Sequence, residues 1–238
     1  MVQVIAHRGA SSYAPENTFP AFDLALEMGA DGLETDIQST RDGVLVLIHD
    51  RSVDRTTDGT GPVKELDWPR LGEMEAGAWF APRFAGTRIP TFDAFLARYA
   101  GRTGLALEIK APGTEAKVVD ALRPYDLGDR LTILSFDWTS VVAVRGLAPA
   151  LRVGWLTRAF DPESIECVRA AGMAQICPNA SAVTPELVAL AHQRGLQVRS
   201  WGVADEALMA RAVEAGVDGT SINFPDVLLA YLQKRGMR

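Results

Sequence analysis

The chain has 238 residues, 47% of them apolar and 23% charged, enough for one large α/β domain or two small ones. A formal net charge of −6 argues against a general nucleic-acid or anionic-membrane surface, which needs an excess of Lys and Arg. It leaves room for a small anionic substrate wherever cations gather at one place.

The apolar stretch after Met1 is too short for a signal-peptide core, and no later run reaches the roughly 18 residues of a membrane span. Cys167 and Cys177 are expected as reduced, mostly buried thiols. The expected address is the cytoplasm, with no stable membrane insertion and no nucleic-acid partner.

Short apolar runs then alternate with amphipathic stretches. A first strand is predicted over Val2–Ala6, a helix over Phe19–Met28 and a second strand over Gly32–Ile37. Val44–His49 is a further strand-like run, set off by Arg41-Asp42-Gly43, and Asp-Gly between apolar runs signals a hairpin. Folding back about Asp42 and Gly43 sets His49 opposite Asp36. Residues 51–90 are too long for an ordinary connection. They hold Trp68, Trp79, Phe80 and Phe84, so a small packed insertion is expected there.

From Leu105 the alternation is regular. Strands are predicted over Leu105–Ile109, Leu131–Ser135, Arg152–Leu156, Ala174–Pro178, Val198–Trp201 and Gly219–Ile222. Between them lie the helices Thr114–Leu122, Trp138–Gly146, Pro162–Ala171, Pro185–Arg194 and Glu206–Ala215, several ending at Gly. Eight strands, each followed by helix, predict a closed (β/α)8 TIM barrel as a single domain over residues 1–238, with the insertion after the second strand and its hairpin. An open doubly wound sheet is the alternative, but no Gly-rich dinucleotide loop follows the first strand.

The chain has three histidines. His192 falls in a helix beside Gln193 and Arg194 and reads as solvated surface. His7 and His49 fall where barrel strands meet the face that carries active sites. Glu34 and Asp36 are two apart on one strand, so they share a face, and in a barrel that face is the interior. Unpaired carboxylates are costly there, and two side by side demand a cation. Glu108, near the end of the next barrel strand, offers a third oxygen ligand. Three carboxylates describe a site for one divalent cation, Mg²⁺ or Ca²⁺, ahead of Zn²⁺. A purely internal salt-bridge cluster is the competing reading, yet Arg8 and Lys110 cannot easily satisfy three carboxylates. Those two cations suit a phosphate better. His7 and His49, titrating near neutrality, suit acid–base work.

The ordered set His7-Arg8-Gly9-Ala10, Pro15-Glu16-Asn17-Thr18, Glu34-Thr35-Asp36, Asp42-Gly43 leading to His49-Asp50, Glu108-Ile109-Lys110, Ser135-Phe136, Trp201 and Gly216-Val217-Asp218-Gly219 resembles the glycerophosphodiester phosphodiesterase family. The resemblance spans nearly the whole chain. It implies a TIM barrel in which Glu34, Asp36 and Glu108 are metal ligands and His7 and His49 the acid–base pair. It makes Arg8 and Lys110 phosphate contacts and Trp201 a wall against glycerol, with barrel packing the plainer reading of Trp201. Phe136 reads as an apolar pocket wall. Asn17 reads either as ordering the first loop or as an N-cap for the helix near Phe19.

Two departures stand out. Gly202-Val203-Ala204 replaces the common Thr-Val-Asn, and Ile222-Asn223 replaces the common Thr-Asp. Both are read as affecting substrate positioning and as leaving the metal and acid–base groups untouched. Arg199, on the Trp201 face of its strand, is expected in an internal ion pair or as an added cation. The implied reaction is hydrolysis of a small glycerophosphodiester to sn-glycerol 3-phosphate and an alcohol. A phosphodiesterase of lysophospholipase D type, entered past Trp79, Phe80 and Phe84, and a non-catalytic binder of phosphorylated metabolites are the alternatives. The sequence does not fix the oligomeric state.

Overall fold

The computed structural model describes residues 1–238. Strands β1 (Gln3–His7) and β2 (Gly32–Ser39) come first, and β3 (Leu45–Leu47) returns antiparallel to β2. Then follow β4 (Gly104–Ile109), β5 (Leu131–Ser135), β6 (Val153–Thr157), β7 (Gln175–Pro178), β8 (Gln197–Val203) and β9 (Gly219–Ile222). Neighbours run in the order β1-β9-β8-β7-β6-β5-β4-β2, and β1 also pairs with β2, so eight parallel strands close on themselves. This is the predicted barrel, with β3 as an outer flap.

Side-chain alternation separates two cores. Val4 and Ala6, Leu33 and Ile37, and Leu105, Leu107 and Ile109 point outward into the large apolar layer under the helices. Ile5, Ala106, Leu134, Leu156 and Cys177 point inward and fill the barrel. The inward register places His7 beside Glu34 on β1 and β2, and Asp36 beside Glu108 on β2 and β4.

The helix layer consists of α1 (Phe19–Glu27), the short α2 (Trp68–Leu71), α3 (Phe92–Tyr99), α4 (Glu115–Leu122), α5 (Trp138–Leu147), α6 (Pro162–Ala170), α7 (Pro185–Gln193), α8 (Glu206–Glu214) and α9 (Pro225–Lys234). Local chemistry starts several of them. Thr91, Asp137, Asp161, Thr184 and Asp205 each accept a backbone N–H of the first turn, and Asp161 with Ser164 forms a reciprocal cap. Cys167, on α6, is exposed rather than buried, whereas Cys177 is buried as expected.

The segment between β3 and α3 packs on its own small core of Val46, Ile48, Val53, Val63, Leu66, Leu71, Met74, Ala76 and Ile89. That core is aliphatic, with the half-buried Trp68 packed against it. Trp79 is exposed, and Phe80 and Phe84 stack edge-on beside it, with ring centroids 5.7 and 5.6 Å apart, near the surface. The turn at Thr40–Gly43 closes as a hairpin with Gly43 at φ +84°. Its register differs by one residue from the sequence reading: the Ile48 N–H donates to the Asp36 carbonyl, and His49 follows.

Candidate active site

The C-terminal ends of the strands surround a cavity of about 230 Å³ lined by His7, Arg8, Glu34, His49, Glu108, Lys110, Phe136 and Trp201, with Leu134, Leu156, Gly202 and Ser221. Of the residues assigned from the sequence to metal, acid–base, phosphate or glycerol contact, all are in this lining except Asp36, which is fully buried.

Glu34, Asp36 and Glu108 are 3%, 0% and 5% exposed, and each offers an oxygen within 4.8 Å of the others. Burial and the neighbouring Asp36 charge push Glu34 and Glu108 up to about 8. Burial also acts to raise Asp36, but Arg8, Lys110 and the histidines outweigh it and hold that carboxyl below its usual range. Lys110 Nζ lies 2.6 Å from Glu108 Oε1 and 3.4 Å from Asp36 Oδ1. Arg8 Nε lies 3.0 Å from Asp36 Oδ2 without the alignment of a hydrogen bond, while the Arg8 backbone N–H donates to Glu34 Oε2 at 3.0 Å. Two cations thus lean on the three carboxylates and leave Asp36 Oδ1 with no hydrogen-bond donor. A hard divalent cation fits that donor set: three buried oxygens, one of them orphaned, in a pocket short of positive charge.

The first loop is built to deliver these groups. Arg8 has φ +58° and Gly9 φ +80°, and a Cβ on Gly9 would come within 2.5 Å of the Ala21 backbone. Asn17, at φ +56°, is not the helix cap, since Thr18 holds the N-cap position of α1. Its amide instead donates to Asp36 Oδ2 at 2.9 Å, and its Oδ1 accepts from the Thr35 hydroxyl at 2.7 Å. Asn17 therefore fixes the orientation of the central carboxylate, a stronger role than ordering a loop.

Both histidines are anchored through Nδ1. His49 Nδ1 is 2.7 Å from Asp50 Oδ1, and His7 Nδ1 is 2.6 Å from Asn223 Oδ1. This leaves each Nε2 free for proton exchange, and His7 Nε2 is 3.9 Å from Glu34 Oε2. Burial, helped by the Arg8 charge, lowers His7 to about 4. Burial lowers His49 as well. The Asn223 contact corrects the sequence reading, because that departure from the family pattern sits directly behind one of the two histidines. The other departure, Gly202, takes φ +72° in an irregular stretch of β8 and lines the cavity.

Three participants were not assigned roles from the sequence. Glu16 accepts Arg8 Nη1 at 2.9 Å and both terminal nitrogens of Arg55 at 2.8 Å, and Arg55 Nε donates to Asp50 Oδ2 at 2.6 Å. This chain ties the insertion to both active-site edges. Glu16 and Asp50 lie inside motif segments and were findable, whereas nothing in the sequence marks Arg55.

Trp201 packs edge-on against Phe136 with ring centroids 4.9 Å apart, and its indole N–H donates to the Cys177 carbonyl at 3.0 Å. The two rings form the apolar wall of the cavity. Lys110 Nζ sits 5.6 Å from the Phe136 centroid. Arg199 does not join the site. It is buried two residues below Trp201, its Nη2 finds no acceptor, and it lines a cleft at the opposite barrel end, so neither expectation for it holds. His192 is on the surface as expected, 2.9 Å from Asp218. Trp79, Phe80 and Phe84 line no part of the central cavity. No helix is long and apolar enough to cross a membrane.

Comparisons with known proteins agree with this arrangement. The model of the glycerophosphoryl diester phosphodiesterase family matches residues 7–227. A glycerophosphodiester phosphodiesterase of Caldanaerobacter subterraneus subsp. tengcongensis is 38% identical over 98% of each chain. One from Bacillus subtilis is 32% identical over 95% of this chain and 85% of its own. Among solved structures, the glycerophosphodiester phosphodiesterase of Agrobacterium tumefaciens superposes with a TM-score of 0.88 at 33% identity, covering 97% of this chain and 100% of that one. An Oleispira antarctica phosphodiesterase in complex with the product sn-glycerol-3-phosphate gives 0.89 at 28%, covering 97% and 96%. The chain belongs to the glycerophosphoryl diester phosphodiesterase family.

Proposed function

We propose that this chain hydrolyses small glycerophosphodiesters to sn-glycerol 3-phosphate and an alcohol, as one 238-residue barrel domain whose insertion, residues 51–90, frames the site. The observation that carries this reading is the convergence of three buried carboxylates and two Nδ1-anchored histidines on one cavity at the C-terminal barrel mouth.

Glu34, Asp36 and Glu108 hold one divalent cation, with Mg²⁺ or Ca²⁺ favoured by the all-oxygen donor set. When bound, it supplies Lewis-acid stabilisation of phosphoryl oxygen charge. Arg8 and Lys110, each in the cavity wall, contact the phosphoryl group and supply fixed positive charge to its oxygens in place of solvating water. One histidine takes the proton of the attacking oxygen as it bonds to phosphorus, that oxygen being either water or the glycerol 2-hydroxyl, which gives a cyclic diester that water then opens. The other histidine donates a proton to the alcohol oxygen as its bond to phosphorus breaks. Asp50 and Asn223 keep Nδ1 occupied, so Nε2 does the exchange on both rings. Trp201 and Phe136 form the wall against which the glycerol carbons rest.

A product assay tests the reading. Glycerol 3-phosphate should be released from glycerophosphocholine far faster than lysophosphatidate from a lysophospholipid. The reverse order would favour the lysophospholipase D reading, for which Trp79, Phe80 and Phe84 provide no wall in the central cavity. Binding of glycerol phosphate with no cleavage under any divalent cation would favour a binder.

A further inference from the structure

A second groove, of about 560 Å³, adjoins the central cavity between the β2–β3 hairpin tip, the start of the insertion and the loop from β4 into α4. Arg41, Arg51, Lys64, Lys110 and Lys117 line it, and none of its 14 lining residues is acidic. Composition does not produce this by default, since the chain has 30 Asp and Glu against 24 Lys and Arg. Arg41 is paired with Asp67, outside the lining, and Lys117 Nζ donates to the Gly43 carbonyl at 3.2 Å. Arg51 and Lys64 are exposed and make no ion pair or hydrogen bond through their side chains. Lys110 lines both the groove and the central cavity, so the two flank the residue assigned to the phosphoryl group.

Direction follows from this shared residue. Of the apolar wall, Phe136 directly follows β5 and Trp201 is in β8, whereas the groove borders the end of β2 and the loop after β4. A diester with its glycerol on the aromatic wall and its phosphorus at Lys110 would extend its alcohol toward the groove. Several cations around one concave surface focus a positive potential there, and guanidinium and ammonium groups together suit phosphate oxygens. We infer that the groove is the subsite of the leaving alcohol and selects alcohols that carry a second phosphate. This rests on the hydrolytic reading above and names the substrate class for it.

The matched substrates are glycerophosphoinositol and glycerophosphoinositol 4-phosphate, which share the scissile bond and differ in one phosphate. The phosphorylated substrate should have kcat/KM about tenfold higher, mostly through KM, for a few partly solvated charge contacts. That preference should shrink as salt is raised. In the R51Q/K64Q/K117Q variant, whose changes are all at exposed positions, the ratio of the two kcat/KM values should fall toward one. Equal values in the unaltered protein, or a ratio indifferent to the triple substitution, would overturn the subsite. Calorimetry with the alcohols alone separates this from the catalytic reading. Inositol 4-phosphate should bind more tightly than inositol, and the triple variant should lose the difference. If neither diester nor glycerophosphocholine is cleaved but this difference is present, the hydrolytic reading fails and the anion groove stands; no difference in binding removes the groove.

Discussion

The two ends of the barrel are built from the same strands and have opposite characters. At the N-terminal end, a cleft of about 790 Å³ is lined by Gln3, Arg102, Arg130, Arg152, Gln175, Gln197 and Arg199 among others. At the C-terminal end, a cavity of about 230 Å³ holds the carboxylates, both histidines and two cations. The larger hollow gathers mainly Arg and Gln side chains, with buried nitrogens of Arg152 and Arg199 left without a partner, and its two acids, Asp31 and Asp129, are paired to Arg238 and Arg152. The smaller one brings buried carboxylates, two histidines and two cations together. The mixture of acids, bases and cations at one place, not volume or buried charge alone, marks the proposed site. One strand shows the contrast, since β8 presents Arg199 to one end and Trp201 to the other.

The most severe test of this contrast pairs substitutions at the two ends. Glu34→Ala, Asp36→Ala or Glu108→Ala should each lower kcat by about three orders of magnitude or more, as expected when a metal site is dismantled. Arg199→Met should leave kcat within about threefold, because Arg199 lines the end opposite the proposed site. A large kcat loss in the folded Arg199 variant would break the contrast.

Next in size, His7→Ala and His49→Ala should each cost roughly two or more orders of magnitude in kcat, with little change in metal affinity. Near-normal turnover in both would leave the pair without a role. A smaller effect sharpens the boundary of the site. Asn17→Ala removes the donor to Asp36, so divalent-cation affinity should weaken by about 10- to 100-fold while residual turnover is recovered at high metal. An unchanged metal titration would reduce Asn17 to a loop residue.

The smallest expected effect is in stability without turnover. Glu34 and Glu108 keep their protons to about 8 in the folded metal-free protein and lose them near 4.5 when unfolded. The folded state then binds more protons than the unfolded state, so stability falls as pH rises through that window. His7, lowered to about 4 from 6.5, works in the opposite sense below 6.5. The net fall should therefore be clearest between pH 6.5 and 8, read as a declining Tm in EDTA. It should be flattened by E34Q/E108Q and reversed by added metal. A Tm that rises across this interval in metal-free protein would contradict the buried, uncompensated carboxylates.

The barrel was legible because its signal is periodic: Glu34 and Asp36, or Glu108 and Lys110, reveal their shared face by spacing alone. The site was legible where parity, buried charge and motif agreed. What escaped lay in backbone geometry and long-range partners. Asn17 read as a possible cap, because its positive φ and its reach to Asp36 depend on a loop whose path spacing does not encode. Asn223 looked remote from His7 until barrel closure brought the last strand beside the first. The register of β3 slipped by one because the turn spans Thr40–Gly43, not Asp42-Gly43 alone. Arg55 bridges Glu16 and Asp50 across the insertion, a contact that no local pattern announces.

Cation dependence of the cleavage itself offers the most direct check. Protein stripped with EDTA and assayed for glycerol 3-phosphate release from glycerophosphocholine should be inactive. Mg²⁺ or Ca²⁺ should restore turnover to the unaltered chain and not to Glu108→Ala. Full activity after stripping, with no response to either cation, would contradict a catalytic metal held by Glu34, Asp36 and Glu108.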